Sequence, residues 1–175
     1  MIPLLILGLL KERPGSYGYE LLTLMNERHY EFVVNYTKGS FYYNIQQLEE
    51  KNWIRRLPAL YSTDVREKNQ YTLTEKGLDE FNRLILKYGT KTDYINLSFY
   101  SAMLFQDEVE PQVMKDLIHS QIKQTEKKIF LIESALVQNT ALLKNFVRML
   151  ENSIAHHKVN LEWFHNLLSE LESSI

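Results

Sequence analysis

Residues 35–54 read NYTKGSFYYNIQQLEEKNWI, from Asn35 to Ile54. The stretch has the apolar period of a helix, yet it sets Tyr42 and Tyr43 where a surface helix ordinarily carries charge. At about 100° per residue, Ile45 and Leu48 fall within about 40° of Phe41, so these three face a core. Gly39, Tyr43, Gln46, Gln47 and Glu50 then point away, and Tyr42 lies on the flank. Thr37 has the side chain of an N-cap, which satisfies free N–H groups of a first turn. Asn52 tolerates the left-handed backbone that closes a helix, so it marks the end.

The flanks place this helix third in a series. Ile2–Lys11 reads as a helix, closed by the breaker Arg13-Pro14-Gly15. Ser16 is a candidate cap for a second helix, with Glu20 near the positive end of its dipole and Leu21, Leu22, Leu24 and Met25 as its apolar face. Tyr30–Val34 is a short apolar connection. After the third helix, Trp53–Leu57 and Gln70–Leu73 alternate as strands do, around the polar, turn-rich segment Pro58–Asn69. Thr74 can cap a fourth helix through Leu86, with Leu78, Phe81, Leu84 and Ile85 as its apolar side. The order helix, helix, helix, strand, strand, helix is that of a winged helix-turn-helix. In that arrangement the third helix enters the DNA major groove and the hairpin reaches flanking backbone.

The second half predicts helices alone. Tyr94–Phe105 is apolar nearly all round and is expected to be buried. From Val109 to about Val137, the positions Ile118, Ile122, Thr125, Ile129, Ile132 and Leu136 alternate in steps of four and three. Roughly from Thr140 to Leu171 the same steps recur at Leu143, Val147, Leu150, Ile154, His157, Leu161, Phe164, Leu168 and Leu171. Such spacing is a coiled-coil seam, expected to pack the helices on each other and on a second copy of the chain. His157 is a polar group on that seam that can fix register or respond to pH, and its other reading is a histidine turned to the rim. The fold class is therefore mainly α: a winged helix-turn-helix domain with a small β-hairpin wing over residues 1–90, then an all-α dimerisation domain of long antiparallel helices over residues 91–175.

Composition narrows the function. The chain of 175 residues carries a formal net charge of −2. Residues 1–91 hold 13 Lys/Arg against 11 Asp/Glu, and the remainder 7 against 11, so a polyanion would meet the first half. There is no Cys, hence no disulfide framework and no thiolate zinc site. The His residues follow no His-Glu-x-x-His spacing, and no metal or cofactor is expected. The run Ile2–Leu10 is too short to span a bilayer and lacks the flanks of a signal peptide, which points to a cytoplasmic protein. No nucleophile motif or phosphate-cradling glycine loop appears, so the chain reads as a non-enzyme.

The sequence resembles the PadR family of bacterial transcriptional regulators. Ile6-Leu7-Gly8-Leu9-Leu10 is similar to its opening helix, and Gly18-Tyr19-Glu20-Leu21 to its second. Gly39-Ser40-Phe41-Tyr42, Ile45, Leu48-Glu49-Glu50 and Trp53-Ile54 follow its third helix. Tyr71-Thr72-Leu73-Thr74-Glu75-Lys76-Gly77 is similar to the Tyr-x-Leu-Thr-x-x-Gly that leaves the wing. These segments cover about the first 90 residues, and the helical second half is similar to the dimerisation domain of the longer members. The resemblance implies a homodimer, operator binding, usually repression, and often relief by a small molecule. Tyr43 stands where Pro is common, Asn52 replaces a common Gly, and Gln46 and Gln47 occupy positions that are often basic.

The expected DNA contacts follow. Thr37, Lys38 and Ser40 lie at a helix N-terminus, where N–H groups and the dipole favour a phosphate. Tyr43, Asn44 and Gln47 can meet base edges, and Gln makes paired contacts to adenine. Tyr42 matches a family tyrosine and can offer its hydroxyl to a phosphate. Its alternative role is amphipathic packing. Arg66 and Lys68 at the hairpin tip are candidates for backbone contact, while at most one of Arg55 and Arg56 can face DNA. Tyr94, Phe99 and Met103 are candidates to line a pocket for a small apolar or aromatic effector, plain core being the other reading. Leu143, Val147, Leu150, Ile154, His157, Leu161, Phe164 and Leu168 are the dimerisation candidates. The competing function is a coiled-coil interaction module whose winged domain contacts protein.

Overall fold

The computed structural model describes residues 1–57, 69–93, 95–138 and 142–173. The chain divides into two compact units, Met1–Thr92 and Asp93–Ile175. The N-terminal unit contains helices α1 (Ile2–Glu12), α2 (Gly18–Glu27), α3 (Lys38–Glu50) and α4 (Glu75–Gly89), with strands β1 (Ser16–Tyr17), β2 (Ile54–Arg56) and β3 (Gln70–Leu73). The C-terminal unit contains the short α5 (Phe99–Met103) and the long α6 (Pro111–Gln138) and α7 (Lys144–Ser173). Mainly helical, with one small antiparallel sheet, it is a winged helix-turn-helix followed by long helices.

The first core gathers around α1 and α3. Ile6, Leu7, Leu10, Leu21, Met25, Phe41, Leu48 and Ile54 are essentially inaccessible to water. Gly15, at φ +82°, turns the chain from α1 into β1, a conformation that favours glycine. Asn52 at φ 56° closes α3 as its side chain allows.

Ser16 differs from expectation. It does not cap α2. It pairs with Tyr71 as part of a third strand, and the sheet order is β1-β3-β2, with β3 in the middle. Its hydroxyl donates to the Arg13 carbonyl at 2.9 Å. The α2 end is served from within the helix, where the Glu20 carboxylate accepts the Tyr17 N–H at 2.8 Å. A two-residue strand has no period of its own, and only its distant partner reveals it.

The α4 start is a junction. The Thr74 hydroxyl accepts the Gly77 N–H at 3.0 Å and donates to the Asn52 carbonyl at 2.7 Å, tying α4 to the end of α3. A Cβ on Gly77 would lie 1.8 Å from the Trp53 carbonyl oxygen, so no other residue fits. This close approach rotates the buried stripe of α4. Gly77, Glu80 and Leu84 are buried and Phe81 partly so, whereas Leu78 and Ile85, expected on the apolar side, are 39% and 48% exposed. The Arg83 guanidinium grips the buried Glu80 carboxylate at 2.6 and 2.7 Å and holds its pKa below the ordinary carboxylate value.

In the C-terminal unit, Ile118 of α6 shares a core with Phe164 of α7. Farther along, Glu133 of α6 meets Lys158 of α7 at 3.0 Å, so the two helices run antiparallel. Ile118, Ile122, Thr125, Ile129 and Ile132 are buried on the α6 seam, as the sequence predicts, joined by Met114 and by Ala135, while the expected Leu136 is only half-buried. The segment before α6 is another departure. Only five residues form α5, and Ile95, Leu104 and Phe105 are 67%, 79% and 62% exposed. Two long helices and one short one offer no second layer to cover every side of that segment, so only the side packed on the α6–α7 core is buried.

Candidate nucleic-acid interface

The polar side of α3 is built on a buried opposite side. Phe41, Ile45 and Leu48 are 0%, 3% and 2% exposed and fix the rotation of the helix. At its start, the Thr37 Oγ1 accepts the Ser40 N–H at 3.1 Å and the Ser40 Oγ accepts the Thr37 N–H at 2.9 Å. This reciprocal cap sharply defines the first turn. Lys38 and Gly39 stand exposed on it. The remaining first-turn N–H groups and the dipole make the end electropositive.

Along the helix, Tyr43 is 62% exposed, the largest apolar surface on α3. Tyr42 behaves differently. Its ring meets Phe41 edge-on at 5.4 Å and covers Gly18 of α2, where an added Cβ would lie 3.2 Å from it. Packing therefore fixes the Tyr42 ring at the flank, 38% exposed. The Asn44 amide donates back to the Ser40 carbonyl at 2.7 Å. Two amides converge on one carboxylate: Gln46 Nε2 donates to Glu50 Oε1 at 2.8 Å, and Gln47 Nε2 to Glu50 Oε2 at 2.7 Å.

Of the paired arginines on β2, Arg56 is engaged by Glu49 of α3 at 2.6 and 2.8 Å, which raises its pKa and binds the strand to the helix. Arg55 points to solvent and has no ion pair among the described residues. The Lys51 ammonium lies 4.8 Å above the Trp53 ring. Thr37, Lys38, Ser40, Tyr42, Tyr43, Asn44 and Gln47 thus all reach solvent from one helix. Arg66 and Lys68 lie outside the described residues. The sequence reading missed the Glu50 contacts, although the spacings i,i+3 and i,i+4 bring such pairs together on any helix.

Residues 6–83 match the model of the transcriptional regulator PadR-like family. The N-terminal unit belongs to the PadR-like family. No curated protein matches the sequence. Among solved structures, a PadR-like transcriptional regulator of Bacillus cereus is 21% identical, with a TM-score of 0.75 and all of both chains covered. Bacillus subtilis PadR in complex with operator DNA is 18% identical, with a TM-score of 0.72, over 97% of this chain and 98% of that one. The same PadR in complex with p-coumaric acid gives 17% identity and a TM-score of 0.76 over 98% of each chain. At these identities the likeness is one of fold, and it spans both the PadR-like unit and the helices after it.

The remaining candidates sit in the C-terminal unit. Tyr94 lies outside the described residues. Phe99 is 6% exposed, edge-on to Phe164 at 5.2 Å and to Trp163 at 6.0 Å, and Met103 packs on the same cluster. Trp163 and Tyr100 complete it, 5.5 Å apart. Of the α7 seam, Leu150, Ile154 and Phe164 are buried against α6 of the same chain, and Val147, His157, Leu161 and Leu168 are half-buried. Leu143 precedes the helix and is 58% exposed, its expected place taken by Phe146, which lies one turn inside. Burial pushes the His157 pKa down, with Lys128 of α6 and the adjacent His156 adding to the effect. No group of three metal-capable side chains occurs among the described residues, and none of their helices is long and apolar enough to cross a membrane.

Proposed function

We propose that the chain is a homodimeric, DNA-binding transcriptional regulator, acting as a repressor, with α3 of each protomer in successive major grooves of an inverted repeat. The observation that carries this reading is the solvent-facing side of α3. A capped, electropositive first turn bearing Lys38 leads into a row of Tyr43, Asn44 and Gln47, all free of the core. The first turn suits a phosphate, and the row suits base edges. Bacillus subtilis PadR, a relative in fold, is known bound to its operator.

The dimer rests on the C-terminal helices. Their seam is filled within one chain, so a second copy would cover the outward apolar residues Phe130, Val137 and Leu143, exposed by 68%, 80% and 58%. The effector, if one acts, is expected to be small and apolar or aromatic, with Tyr94, Phe99 and Met103 as its candidate contacts; p-coumaric acid is known in the Bacillus subtilis relative.

The test is selection of bound duplexes from a random DNA pool at two salt concentrations. Enrichment of an inverted repeat, weaker at higher salt, is the expected result. A pool that stays random at both salts, with a protein partner bound instead, would replace this reading by that of a protein-interaction module.

A further inference from the structure

We propose that Glu50 is a specificity-determining positioning residue, which locks Gln46 and Gln47 in the one amide orientation that reads adenine. The inference rests on the reading of α3 as the DNA-contacting helix. Its basis is the convergence of both glutamine amides on the two oxygens of a single carboxylate, at 2.8 and 2.7 Å.

A carboxylate oxygen accepts hydrogen bonds and has none to give, so the NH2 end of each amide must face it. That settles which way round both amides lie. Each NH2 keeps one N–H after donating to Glu50, and each carbonyl oxygen remains an acceptor. The free edge of each glutamine is therefore one donor beside one acceptor. Adenine presents the complement in the major groove, N7 as acceptor and N6–H as donor. Guanine presents two acceptors, N7 and O6, and would leave one of them against the amide oxygen. An unanchored glutamine can turn its amide over. An anchored one cannot do so without breaking its bond to Glu50.

Position supports the role. Residues 46, 47 and 50 lie together on the side of α3 opposite Phe41, one turn beyond the exposed Tyr43. Glu49, the neighbouring acid, is taken by Arg56 and leaves the glutamines alone. Glu50 itself adds negative charge near a polyanion, so its presence there lowers affinity and needs another reason.

The experiment compares the wild-type chain with Glu50→Ala, Glu50→Gln and Gln47→Ala in the same random-duplex selection, read position by position, alongside melting temperatures. Glu50 is exposed, so its variants are expected to melt with the wild type. Glu50→Ala should keep the symmetry and half-site spacing of the enriched repeat. Its adenine preference should fall about tenfold at two positions of each half-site together. Gln47→Ala should lose one of the two. Glu50→Gln keeps a single acceptor oxygen and should restore one. Unchanged preference in Glu50→Ala overturns the proposal, as does loss of a cytosine at a single position, since Glu50 would then read a base itself. A wild-type chain that enriches no duplex overturns the DNA-binding reading, and this inference with it.

Discussion

A methyl group at position 77 has nowhere to go. With the Trp53 carbonyl oxygen 1.8 Å from where the carbon would sit, Gly77→Ala must push α4 away from the end of α3. The expected loss is at least about 2 kcal/mol, seen as a lower urea midpoint with circular dichroism as the probe. On α3 the single substitutions separate two roles. Lys38→Ala should weaken every duplex alike and reduce the steepness of the salt dependence by about 0.9 log unit per log unit. Gln47→Ala should instead change preference at one base position. If binding titrations find both variants altering sequence preference alike, the division into phosphate and base contacts is wrong. At this scale the sequence was legible wherever local chemistry decided the outcome. Thr37, Thr74 and Asn52 do what their side chains favour. Ser16 did not, because its partner is a strand residue far along the chain.

Among the elements, α3 and the seam of α6 were read correctly because a strong apolar period leaves one rotation possible. On α4 the period was there but displaced: the glycine contact with Trp53 turned Leu78 and Ile85 outward. The region around α5 was misread because a continuous apolar run has no face, and composition alone does not say what will cover it. The α6–α7 pairing makes its own predictions. Leu150 is fully buried, so Leu150→Ala should lower stability by about 2–5 kcal/mol in urea titrations. His157 gives the pair a pH dependence. Its folded pKa lies below the ordinary value of 6.5, so the unfolded chain binds the proton more readily. Stability from this group is complete above that value and declines as the pH falls below it. Melting temperature should therefore drop between pH 7.5 and 5.5 by more in the wild type than in His157→Leu. Equal drops would remove His157 as the cause.

For the whole molecule, each unit has a hydrophobic core of its own. Residues 1–92 alone should unfold cooperatively on heating, and a gradual loss of helix would mean that the PadR-like unit depends on the remainder. The dimer reading makes a matching demand. Phe130→Asp together with Val137→Asp should shift sedimentation from dimer to monomer while leaving the helical content unchanged.

The pairing of β1 with β3 also sets a timetable for synthesis. Residue 16 waits for residue 71, and the two strands cannot meet until the ribosome has made everything between them. At about 5–20 residues per second that interval lasts roughly 3–11 s. For most of it α1 and α2 are both made while β3, which packs against α1, is still absent.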